Sequence, residues 1–154
     1  MRRQRLGPRI APLAAIALAF ACAPAYAIFI VNGPWLRPAA AGGTTELYMT
    51  LTSTEGATLV AVRCEVARDA AVVAGGTSTP PGAPLALPPG RDVQLKPGGT
   101  RVRLVGLKRA LSLGDRVPLV LTIEAAGGAA QEIPVDAEVR RRSALDDHRH
   151  GHAH

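Results

Sequence analysis

Apolar side chains recur at every second position along most of this chain, in short runs separated by Gly and Pro. That periodicity constrains the fold more than any other feature. In TTELYMTLTST, Leu47, Met49 and Leu51 share one face of an extended strand, and Glu46, Tyr48 and Thr50 share the other. In ATLVAVRCEVA, Leu59, Ala61 and Arg63 alternate with Val60, Val62 and Cys64. IFIVNGPWLRP gives a first strand broken near Gly33-Pro34, with Trp35 expected to pack at a sandwich edge. DAAVVAGG is a weaker run. RDVQLKPGG and TRVRLVGL flank Pro97-Gly98-Gly99, which reads as a hairpin turn. RVPLVLTIEAAGG and AQEIPVDAEVR form a closing hairpin around Gly127-Gly128. Residues 75–90, rich in Pro and Gly, read as a long loop with a short strand at Leu85–Leu87. Outside the first 27 residues no window carries a long helical stripe. About eight short strands spaced in this way imply an all-β sandwich or barrel.

The two ends differ from this pattern. MRRQRLGPR is basic, IAPLAAIALAFACAPAYA is apolar, and Ala25-Tyr26-Ala27 fits a small-x-small cleavage site. Residues 1–27 therefore read as a secretory signal peptide, which places the mature chain in the periplasm or another extracytoplasmic space. The apolar run is too short and Pro-broken to be a span, so no membrane span is expected after cleavage. Arg2-Arg3 lacks the surroundings of a twin-arginine signal, and Ala19-Phe20-Ala21 is a poor lipidation context for Cys22. Residues 140–154, RRRSALDDHRHGHAH, have almost no apolar surface to bury and are expected to form a disordered tail. The folded domain is thus expected over residues 28–139.

Cleavage changes what the charge means. The whole chain carries a formal +6, but Arg2, Arg3, Arg5 and Arg9 leave with the signal. The remaining 14 basic and 12 acidic groups give +2. With few aromatic side chains for base stacking as well, nucleic acid is not an expected partner. Cys64 is then the one remaining cysteine, so no intrachain disulfide forms and packing must hold the fold. No nucleophile–base pair, carboxylate cluster or phosphate loop stands out, and the chain reads as a non-enzyme.

The order of segments GPWLRPAAAGGTTELYMTLTS, LVAVRCEVARDAAVV and LPPGRDVQLKPGGTRVRLVGLKRALSLGDRVPLVLTIE resembles the periplasmic copper chaperones of the PCu(A)C type. The likeness covers about Val31 to Val139. The last segment carries most of it: Leu-Lys-Pro-Gly-Gly, a strand, Gly-Leu-Lys, Leu-x-x-Gly-Asp, then Val-Pro-Leu-x-Leu. The resemblance implies a cupredoxin-like Greek-key β-sandwich. It also implies a Cu(I) site of soft Met thioethers and His imidazoles, and a periplasmic or membrane-bound protein that receives the copper.

The family's ligands are missing here. Arg101-Val102-Arg103 occupies the place of its His-x-Met pair, its upstream His place falls near Val73, and the intervening loop Ala74–Gly90 holds no Met. Guanidinium stays protonated and has no lone pair to offer, so no cofactor is expected in the core domain. Arg101 and Arg103 leave two readings open: a solvated strand face, or a face that docks an anion or acidic partner, with Lys108 and Arg109 extending the patch. Met49 reads as core filler and Cys64 as a buried, inert thiol. The remaining metal chemistry lies in the tail. His148, His150, His152 and His154 stand at alternate positions after Asp146-Asp147, so one extended segment can offer several imidazoles to a divalent ion such as copper. The other reading of that tail is a solubilising end with incidental affinity.

Overall fold

A computed structural model describes residues 28–76 and 81–143. The signal peptide with Cys22, and the tail's His148, His150, His152 and His154, lie outside the described residues. Nine strands follow in order: β1 (Phe29–Leu36), β2 (Thr44–Ser53), β3 (Ala57–Cys64), β4 (Ala67–Val73), β5 (Leu85–Leu87), β6 (Asp92–Leu95), β7 (Arg101–Leu107), β8 (Arg116–Ala125) and β9 (Ala130–Val139). Hydrogen bonds connect them in the order β4-β7-β2-β1-β9-β8-β3-β5, with β6 also on β2. All pairings are antiparallel except β1 with β9, which is parallel and has only two registered pairs, Trp35 with Glu138 and Leu36 with Val139. The result is a nearly closed all-β sandwich whose two halves meet along that short seam. Among the described residues no helix is long and apolar enough to cross a membrane.

The period-two pattern supplies the core. Leu47, Met49 and Leu51 of β2 face Val102 and Leu104 of β7, and Val117, Leu119, Leu121 and Ile123 of β8 close the other side. Each fully buried Leu or Val contributes roughly 1.5–3 kcal/mol of transfer free energy.

Two bulges shift the phase in ways that alternation alone does not show. In β3, Leu59 pairs with Ile123 but Ala61 pairs with Thr122, so Val60 is an extra residue. Leu59 therefore joins Val62 and Cys64 in the core instead of sharing a face with Ala61 and Arg63. In β1, Asn32 pairs with Thr50 and Trp35 with Tyr48, which leaves one extra residue within Gly33-Pro34. Gly33 accommodates the kink at φ 55°, a conformation that costs other residues more. The bulge turns Leu36 inward and Trp35 outward, onto the face of Tyr48. Trp35 thus sits between β2 and β9 rather than at a sandwich edge.

Pro97-Gly98-Gly99 also departs from expectation. β6 and β7 do not pair with each other; they run in the same direction and pair in succession on one edge of β2. The Lys96 N–H donates to the Thr100 carbonyl at 2.9 Å and the Gly99 N–H to the Lys96 carbonyl at 3.0 Å. The turn chemistry makes a closed excursion in one continuing edge, not a hairpin. It sets the first residue of β7, Arg101, beside the outer face of β2.

Candidate functional site

β7 lies between β4 and β2, and its register brings the expected ligand positions together. Val73 is the cross-strand partner of Arg101, and Ala71 is the partner of Arg103. On the other side, Glu46 of β2 is the partner of Arg103. Since Val102 and Leu104 point into the core, Arg101 and Arg103 point out, onto the face that carries Glu46 and Tyr48.

The face is organised around Glu46. Arg101 Nε donates to Glu46 Oε1 at 2.6 Å, and an Arg101 guanidinium N–H donates to the Gly99 carbonyl at 3.0 Å. Tyr48 Oη donates to Glu46 Oε2 at 2.5 Å. Both partners of the ion pair are largely covered, their side chains 19% and 26% exposed. Burial works to raise the Glu46 carboxyl. The hydrogen bonds from Tyr48 and Arg101 and the charges of Arg101 and Arg103 outweigh it, so the group sits below the ordinary carboxylate value. Burial and the bond to Glu46 push Tyr48 up to about 12, so it stays a neutral donor.

Beneath that bond, Trp35 and Tyr48 stack with ring centroids 4.6 Å apart at 43°. The Arg37 guanidinium lies 5.6 Å from the Tyr48 ring centroid. Tyr48 is fully buried although it alternates with the core residues, because the bulged Trp35 covers it. Alternation puts Tyr48 on the face opposite Leu47, Met49 and Leu51 and does not mark that position as buried. The only hint available was Glu-x-Tyr on one face of β2 with Trp35 just upstream, and pairing them required the register.

Chemically this is a poor place for Cu(I). The side chains of Val73 and Ala71 offer no donor atom, Arg101 and Arg103 offer protonated guanidinium, and Glu46 offers hard oxygens that each already accept a hydrogen bond. What the face holds is a salt bridge, Arg101 with Glu46, seated on the Trp35–Tyr48 pair. Among the described residues no cluster of three His, Cys, Asp or Glu side chains could hold a metal ion.

The other residues singled out in the sequence lie elsewhere. Met49 is buried in the core against Leu95. The Cys64 thiol, buried on β3, donates to the Pro118 carbonyl at 3.8 Å, and burial pushes its pKa up, which favours the protonated form. Lys108 and Arg109 do not extend the patch. They follow the opposite end of β7, roughly 20 Å along the strand from Arg101, and Arg109 is paired with Asp115 at 3.3 Å.

The groove beside this site runs over the outer face of β1, β2 and β6. Trp35, Arg37, Thr50, Gln94 and Lys96 line it, and Arg141, Arg142 and Ser143 close one side. Those last residues follow directly from Arg140, whose N–H donates to the Leu36 carbonyl at 2.8 Å and whose guanidinium holds Glu138 at 2.7 Å.

Known proteins share this architecture. Residues 30–135 match the LpqE-like family. The apo PCuAC domain from PmoF1 superposes with a TM-score of 0.63 at 29% identity, covering 74% of this chain and 94% of that one. The copper-bound PCuAC domain from PmoF2 gives 0.62 at 25% identity, over 74% and 93%. The Cu(I) form of DR1885 from Deinococcus radiodurans gives 0.53 at 27% identity, over 73% and 79%. No curated protein sequence matches the chain.

Proposed function

The chain belongs to the LpqE-like family, and from that premise we propose that it is an exported, non-enzymatic copper-handling protein. Its sandwich has the copper-chaperone fold, and its sheet-face Cu(I) site has been given over to an ion pair. Metal is held by the tail through His148, His150, His152 and His154, and passes to a copper-receiving partner. The fold supports the copper reading, since the PmoF2 domain and DR1885 are copper-bound on the same architecture. The observation that carries the loss of the core site is the meeting of Val73, Arg101 and Arg103 at one place, with Arg101 bonded to Glu46.

The alternative, a partner-docking face on Arg101 and Arg103, is weakened by the same geometry. Arg101 is satisfied inside the chain by Glu46 and Gly99, so Arg103 alone would have to provide the contact.

Two titrations test the proposal. The four imidazoles should chelate Cu(II) with moderate affinity, because each further ligand is recruited at high effective concentration while ordering the tail costs roughly 1–2 kcal/mol per fixed residue. Zn(II) should bind more weakly, and Cu(II) should be released as the pH falls through about 6.5, where imidazole protonates. Residues 28–154 should therefore take up Cu(II), and residues 28–145 should not. Under anaerobic conditions residues 28–145 should show no tight one-to-one Cu(I) binding. Equal Cu(II) uptake by both chains would dispose of the tail, and tight Cu(I) binding by the shorter one would restore the core site.

A further inference from the structure

The groove on the outer face of β1, β2 and β6 carries an unbalanced charge. Arg37, Lys96 and Arg141 line it, together with neutral Asn32 and Gln94, and among the described residues no acidic side chain does; Arg142, also on its wall, is engaged in an interaction of its own. Among the described residues, no carboxylate lies within 4.0 Å of the cationic groups of Arg37, Lys96 or Arg141. Of the acidic groups on this side of the sheet, Glu46 is held by Arg101 and Glu138 by Arg140 and Arg116, Asp92 accepts from the Thr52 hydroxyl further along β6, and Asp136 lines the neighbouring pocket beyond Trp35 rather than the groove itself.

Ser143, the last described residue, is itself a wall of the groove. Only Ala144 and Leu145 separate it from Asp146-Asp147. An extended chain covers at most ~3.6 Å per residue, so Asp146 lies within about 11 Å of Ser143. We propose that Asp146-Asp147 docks in this groove against Lys96, Arg37 and Arg141. The tether holds the two carboxylates there at an effective concentration in the millimolar range or above, which a free acidic peptide does not match. Docking leaves the segment from His148 onward as the unattached part of the tail and starts it from a fixed point on the sheet face. It needs no metal, so it stands or falls separately from the copper reading.

The test is a comparison of metal-free amide spectra for residues 28–154 and 28–143. At low salt the Asn32, Gln94 and Lys96 amides and the indole of Trp35 should differ between the two chains. The difference should vanish at about 0.5 M salt, where the screening length is only a few ångströms. Lys96→Glu, at an exposed side chain, should abolish the difference. Combining Lys96→Glu with Asp146→Lys and Asp147→Lys should bring it back. If truncation moves only the signals of Arg141–Ser143, the tail does not dock. The same holds if Asp146→Asn with Asp147→Asn leaves the full chain's spectrum unchanged. An added acidic peptide that shifts both chains equally would assign the groove to an outside ligand and overturn the cis contact.

Discussion

At Glu46 a largely covered carboxylate takes two donors at once, and the balance of its neighbours decides its charge. Burial alone would favour the neutral acid, yet Tyr48 and Arg101 hold it ionised. Arg101→Ala leaves Glu46 with Tyr48 alone. The loss should be about 1 kcal/mol at neutral pH, toward the low end for an unsatisfied acceptor because the pair is not fully enclosed. The pH dependence follows from the direction of the shift. A carboxyl lowered in the folded state contributes its stability above the ordinary value of 4.5 and loses it as the pH falls through the lowered one. The gap between the native chain and Arg101→Ala should therefore narrow from pH 7 to pH 3. Urea midpoints at the two pH values check it, and a gap that stays constant would remove the ion pair from the account.

Among the elements, β7 decides the site, because it is bonded to β4 on one edge and β2 on the other and so sets what faces Arg101 and Arg103. Its starting point is fixed by a close backbone approach. A Cβ on Gly75, just after β4, would stand 2.8 Å from the Gly99 Cα and carbonyl carbon and 3.2 Å from the Thr100 nitrogen. Those atoms are backbone of the excursion before β7 and cannot swing aside. Gly75→Ala should push the exit of β4 away from that turn at a cost of about 1–3 kcal/mol, the range for forcing extra volume into a packed contact. A lowered urea midpoint, with shifted amide signals at Val73 and Arg101, is the expected result. Gly76→Ala, which meets nothing within 4 Å, is the matched control. Equal midpoints for the two variants would mean that the approach does not constrain the site.

For the molecule as a whole, the export reading makes a prediction at one residue. Ile28 follows the expected cleavage point; its N–H donates to Thr54 Oγ1 at 3.0 Å and its carbonyl accepts from the Thr54 N–H at 3.0 Å. If the leader is cut after Ala27, Ile28 becomes the N-terminus and keeps these two bonds to Thr54, and intact mass of the exported protein should give an N-terminus at Ile28. A lipidated N-terminus at Cys22 would replace this with membrane anchoring. The all-β class, the hairpin of β8 with β9, the short strand at Leu85–Leu87 and most of the buried side chains were legible in the sequence. Period-two alternation is a local property, and burial of one face follows from it. Residue type alone also excludes the guanidinium of Arg101 and Arg103 as a copper ligand, and that much needs no structure. Tertiary structure decided the rest. An extra residue in β1 or β3 reverses which face every later side chain takes, and only the partner strand reveals it. That is why Tyr48 proved buried, Trp35 turned outward and Leu59 entered the core. The partner of Arg101 was fixed by register between strands more than fifty residues apart in sequence. No spacing along the chain encodes such a pairing.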